Sequence, residues 1–210
     1  MKKHSAIILI VALTLCVAQG VQPQGNKEAN RLAREGAEAL KSDDWDKAVD
    51  LLRKATNLDH KYAPDLAIAY ERRGFASAKN QQFQDAIQDY SEALKIKSNE
   101  PRIYEERAYA EMKIYDYDKA LADYSELIKL KPNEVRYYNF RAYIYESKDD
   151  IKSSIADNDQ VLKLDPNNQE AKGRKQRLDQ KQAERTPLTP PPGVSPKSSP
   201  KPSPTGKRKP

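Results

Sequence analysis

Few side chains in this sequence are of a type and spacing suited to covalent or metal chemistry. Its two histidines, His4 and His60, lie far apart, and its one cysteine, Cys16, sits inside an apolar run. No set of thiol and imidazole ligands with zinc spacing exists, and no activated thiol nucleophile has a partner base. A glycine-rich phosphate loop is also missing, since Gly36 and Gly74 stand alone. Neighbouring acids such as Glu105-Glu106 and Asp149-Asp150 read as solvated-face or turn residues rather than as acid–base pairs. These residues point to no catalysis, no cofactor and no metal. What remains is the chemistry of recognition. Phe75, Tyr109 and Tyr143 recur every 34 residues, beside Arg102 and Arg136 at the same interval. Glu71, Glu105 and Asn139 accompany them, also 34 apart. Aromatic rings and arginines are the side chains that most often anchor a bound partner.

The elements that must position these residues show the same interval. Ala48, Ala86, Ala120 and Ser154 are spaced 38, 34 and 34 residues apart. Three residues before them stand Trp45, Phe83, Tyr117 and Ile151, and four after them Leu52, Tyr90, Tyr124 and Asn158. A period of 34 built from two helices marks a stack of helical hairpins. Breaks at Ser42-Asp43-Asp44, Asn80-Gln81-Gln82, Asp116 and Asp149-Asp150 split each unit into two helices. Pro101, Pro132 and Pro166 fall at the junctions between units, with Asn133, Asn167 and Asn168 placed to cap the helices that follow. Four additional residues around Pro64 separate the first unit from the second.

This pattern resembles the tetratricopeptide repeat, a 34-residue helix–turn–helix family. With position 1 at Ala29, Ala67, Pro101 and Val135, position 4 holds Leu32, Tyr70, Tyr104 and Tyr138, and position 8 holds Gly36, Gly74, Ala108 and Ala142. The resemblance implies an all-α, right-handed superhelical solenoid of four units at about 29–62, 67–100, 101–134 and 135–168. A polar cap helix over 169–184 would close it. It also implies that positions 2, 5 and 9 of each first helix line a concave wall. Those positions carry Arg102 and Arg136; Glu71, Glu105 and Asn139; and Phe75, Tyr109 and Tyr143. Two readings stand for the rings: a groove wall that meets a partner, or packing between first helices. Arg73, Arg107 and Arg141 at position 7 read as structural bridges to acids on neighbouring helices. Some family members clamp a partner's C-terminal carboxylate. The positions used for that hold Ala33, Ala37, Arg72, Arg102 and Glu106 here, and only Arg102 agrees in charge. The expected function is a non-catalytic scaffold that binds a protein or peptide in its groove.

The ends of the chain have other compositions. Lys2 and Lys3 precede an apolar run from Ala6 to Val17, with small residues at Ala18 and Gly20. That layout reads as a secretory signal peptide over 1–20, followed by a leader over 21–28, and it implies export to a bacterial periplasm or beyond. Leu13-Thr14-Leu15-Cys16 loosely resembles a lipobox, which leaves a lipid-anchored assembly factor as the alternative. Residues 185–210 carry nine of the 14 prolines, six basic residues and no acids, and read as a disordered tail. The tail's charge accounts for the net +6, since the remaining 31 basic residues balance 31 acidic ones. The basicity therefore does not argue for nucleic acid. The tail itself reads as a spacer, as a weak contact for an anionic envelope surface, or as a proline-rich ligand for an aromatic groove.

Overall fold

Ala48, Ala86, Ala120 and Ser154 are all fully buried, each at a crossing between two helices. Their thinness sets the helix spacing and so the architecture. The computed structural model describes residues 24–185, and the expected signal segment and most of the tail lie outside them. The helices are α1 (Gln24–Lys41), α2 (Trp45–Leu58), α3 (Ala63–Lys79), α4 (Phe83–Ile96), α5 (Pro101–Lys113), α6 (Tyr117–Leu130), α7 (Val135–Ser147), α8 (Ile151–Leu164) and α9 (Gln169–Arg185). A 3-10 turn, His60–Tyr62, precedes α3. Each helix packs mainly on the one before and the one after it, as in a stack of hairpins.

The four turns inside the hairpins are built alike. Asp43, Gln81, Tyr115 and Asp149 each adopt a left-handed backbone, with φ of 58, 63, 62 and 63°. The next residue then donates its amide back across the helix end. Asp44 bonds to Ala39 O at 3.0 Å, Gln82 to Ser77 O at 2.9 Å, Asp116 to Glu111 O at 2.9 Å and Asp150 to Tyr145 O at 2.9 Å. This left-handed closure satisfies carbonyls that a helix C-terminus leaves open. The second helix starts at once, with Asp44 accepting from Lys47 N and Asp150 from Ser153 N.

Small residues at position 8 govern how closely each pair of helices approaches. A Cβ added to Gly36 would lie 2.7 Å from Leu52 Cγ, and one added to Gly74 would lie 3.0 Å from Tyr90 Cε1. The core is a chain of clusters that bridge neighbouring units. Ala108, Ala120, Tyr124 and Leu127 of the third unit, for example, are closed over by Tyr137 and Ile144 of α7.

The structure departs from the sequence reading in three places. Helix α1 begins at Gln24, inside the segment read as a leader. The four residues around Pro64 form an added first turn of α3, directly after the 3-10 turn; four residues is close to a helical period, so the downstream face keeps its phase. Asn133 does not cap α7, whose N-cap is Glu134, whereas Asn168 does cap α9 by accepting from Ala171 N at 3.0 Å.

Helix α9, the last of the described helices, stands where the first helix of a fifth unit would. Its inward residues Ala171, Arg174 and Leu178 are buried, and the side that would meet a further helix carries exposed Lys172, Lys175, Gln176 and Asp179. A polar end of this kind keeps an open stack from exposing apolar surface. Asn158, which stands where other units carry a large apolar residue, is explained here. It donates to Ala171 O at 3.0 Å and lies 3.4 Å from Arg174 Nη1.

Candidate functional site

The position-7 arginines act as structural bridges within the units. Arg107 grips Asp123 through both carboxylate oxygens, at 2.8 and 2.7 Å, and its third nitrogen reaches Ser91 Oγ of the preceding unit at 3.0 Å. Arg141 repeats this on Asp157 and Ser125. Arg73 does so on Asp89, with Asp46 as the third partner. The planar fork of arginine matches a carboxylate in this two-pronged manner.

The first helices present the wall of the candidate groove. Phe75, Tyr109 and Tyr143 retain 47, 49 and 47% of their surface exposed, so each ring lies against the fold on one side and is open on the other. The charged residues beside them are largely spent on one another. Arg102 pairs with Glu71 of the unit before at 3.5 Å, and Arg136 pairs with Glu105 at 3.6 Å. Glu105 also accepts from the Tyr137 hydroxyl. Both arginines remain more than half exposed. Asn139 takes a different role: half-buried, it accepts from the enclosed Arg174 at 2.8 Å and so ties the cap helix down.

Two adjoining cavities open along the rings. The first, about 550 Å³, lies between Phe75, Phe83 and Tyr109 and is edged by Lys79, Glu106 and Lys113. The second, about 270 Å³, lies between Tyr109, Tyr115, Tyr117, Phe140 and Tyr143 and also reaches Lys113. Tyr109 and Lys113 are common to both, so the two form one trough. Edge-to-face contacts hold its walls: Phe83 meets Tyr109 at 6.5 Å and 76°, and Tyr115 meets Tyr117 at 6.1 Å and 87°. Phe140 stacks on Tyr124 at 5.3 Å and stays 44% exposed. Burial pushes the Glu106 carboxyl up, against the pull of Arg102.

The sequence reading did not name Phe83, Tyr117, Tyr115, Phe140 or the two lysines as groove residues. Phe83 and Tyr117 stand three residues before the buried Ala86 and Ala120, and both line the trough. Lys79 and Lys113 occupy position 13, on the face that the periodicity assigns to the groove, so their spacing alone could have identified them.

A third cavity, of about 460 Å³, is lined by Asp43, Asp44, Asp46, Asp85 and Asp89 around Arg73. Arg73 is held by Asp89 and Asp46, so this is an ion-pair cluster. Among the described residues no group of three or more His, Cys, Asp or Glu could hold a metal ion. No helix among them is long and apolar enough to cross a membrane.

Solved structures with this architecture include the TPR domain of Arabidopsis OM64. It is 25% identical over 56% of this chain and 98% of that one, with a TM-score of 0.50. A tetratricopeptide repeat protein from Parabacteroides merdae is 19% identical over 75% of this chain and 61% of that one, at a TM-score of 0.57. The first TPR domain of Spaghetti (RPAP3), bound to the HSP90 peptide SRMEEVD, is 22% identical over 56% of this chain and 93% of that one, at 0.50. No curated protein sequence matches the chain. A tetratricopeptide repeat family model matches residues 34–101 and 106–169, which together are most of the sequence. The chain belongs to the tetratricopeptide repeat family.

Proposed function

We propose that this protein is an exported, non-catalytic scaffold that holds a peptide segment of a partner protein along Phe75, Tyr109 and Tyr143. The observation that carries the reading is the trough itself. Three rings on successive first helices each keep about half of their surface open and face two joined cavities. A segment laid along them would bury apolar ring surface that the fold leaves wet.

The Spaghetti domain is bound to the HSP90 peptide SRMEEVD. Here the clamp positions are filled by Ala33, Ala37, Arg72, Arg102 and Glu106, and Arg102 is already paired with Glu71. The grip in this chain therefore falls to aromatic surface rather than to a charged clamp. Export rests on the pattern of residues 1–20. Mass spectrometry of the mature N-terminus tests it: a chain starting after Ala18 or Gly20 supports a cleaved signal, and a diacylated Cys16 supports a lipid anchor.

The groove is tested by pull-down from the native envelope with wild type and Tyr109→Ala/Arg136→Ala, after thermal melts establish that the variant folds. Interface anchors of these types cost roughly 2 kcal/mol or more when truncated. The variant should therefore lose partners that wild type retains. Equal recovery of every partner would refute the groove.

A further inference from the structure

The trough lies at one edge of the molecule, and the chain leaves the described fold at that same edge. Its second cavity is closed by Tyr115, the left-handed turn residue between α5 and α6. The equivalent turn one unit on is Asp149, and there α9 ends: Arg185 pairs with the Asp149 carboxylate and donates to Asp149 O at 3.4 Å. The residues after Arg185 thus start one unit away from the ring-lined cavity. Directly following are Thr186-Pro187-Leu188-Thr189-Pro190-Pro191-Pro192, with no charge until Lys197.

We propose that residues 190–192 dock into the aromatic trough of their own chain and compete there with a partner peptide. The proposal rests on the groove reading above and adds an internal occupant to it. The chemistry matches. Proline-rich segments, here Pro190-Pro191-Pro192, hold an extended left-handed helix at low entropic cost and lie against aromatic grooves. The trough supplies Tyr109, Tyr115, Phe140 and Tyr143 as ring surface. Its lysine edge, Lys79 and Lys113, does not oppose an uncharged segment, whereas it would oppose the basic residues further along.

Reach is sufficient. The four residues 186–189, at about 3.1 Å each, span about 12 Å, against roughly 10 Å between the axes of packed helices, so Pro190-Pro191-Pro192 reaches the rings. A short tether holds its end at an effective concentration of about 1 mM, so a segment of intrinsic Kd about 0.1 mM is docked roughly 90% of the time.

The test is a competition on the full chain. A fluorescent synthetic peptide of sequence 186–194 is titrated into wild type and into Pro190→Ala/Pro191→Ala/Pro192→Ala, a variant altered only outside the packed units. The expected result is binding about tenfold tighter to the triple variant, unchanged by protein concentration, and lost when Tyr109→Ala is added to that variant. Equal affinity for the two chains overturns the proposal. So does a wild-type deficit that disappears on dilution, because the occupant is then the tail of a second copy. If the peptide binds neither chain while Tyr109→Ala/Arg136→Ala still loses its partners, docking of the tail fails and the groove stands. If those partners are also retained, the groove reading fails as well.

Discussion

Glu111 is an acid in the wrong place, and its replacement by glutamine gives a sharp test of the packing. The side chain sits in α5 with 2% of its surface exposed. Its Oε1 is 3.9 Å from Arg107 Nε, beyond hydrogen-bond distance, and its Oε2 has no hydrogen-bond partner. Arg107 cannot turn towards it, because both prongs of its fork hold Asp123. Burial pushes the Glu111 carboxyl up to about 8, the Asp123 charge adds to the rise, and Arg107 opposes it. In the unfolded chain the group returns to its ordinary value near 4.5. Between those values the folded chain binds the proton and the unfolded chain does not. Stability from this group is therefore complete below about pH 4.5 and declines as pH rises towards 8. At about 1.4 kcal/mol per unit, the loss reaches on the order of 3 kcal/mol by pH 7. Glu111→Gln keeps the shape and removes the titration. Urea denaturation followed by circular dichroism should show near-equal stability below about pH 4.5 and an advantage for the variant that grows from there to about pH 8 and then levels off. Other titrating groups, Asp123 among them, remain in both proteins, so the difference between the curves isolates position 111. A constant difference across pH, or a variant less stable in alkali, would refute this account.

Two further substitutions probe the frame. Gly36→Ala should lower stability by about 1 kcal/mol, because the overpacking of Leu52, at roughly 1–3 kcal/mol, exceeds the gain of about 1 kcal/mol in helix propensity. Thermal melts against Gly74→Ala, where the contact is to a ring edge at 3.0 Å, should show a smaller effect. Gln81→Gly should raise stability by about 0.5–1 kcal/mol, since glycine takes the left-handed backbone without a Cβ clash. A lowered urea midpoint would show that the Gln81 side chain contributes more than the turn costs.

The stacking frame was legible because thin residues must recur wherever two helices cross, and Ala48, Ala86, Ala120 and Ser154 do so in phase. The position of the rings was legible for the same reason, since a face that repeats every 34 residues needs no knowledge of distant contacts. What escaped were the long-range commitments. Asn139 was read as a groove residue, but its partner Arg174 lies 35 residues away in a helix whose composition reads as solvated. Nothing in the local sequence marks Glu111 as enclosed, yet it keeps only 2% of its surface exposed. The start of α1 was missed because Gln24, Gly25 and Asn26 carry no apolar period to mark a helix.

The polar contacts across the junctions have a direction. Arg73, Arg107 and Arg141 reach backwards to Asp46, Ser91 and Ser125, and Arg102, Arg136 and Lys148 reach backwards to Glu71, Glu105 and Asp118. In each of these contacts the later unit donates and the earlier one accepts. Deleting units from the C-terminal side therefore leaves mainly acceptors unmatched, whereas deleting them from the N-terminal side frees the third nitrogen of each position-7 arginine, whose other two stay on the aspartate of its own unit. During synthesis the acceptor side emerges first, so every hairpin leaving the ribosome finds its template already finished.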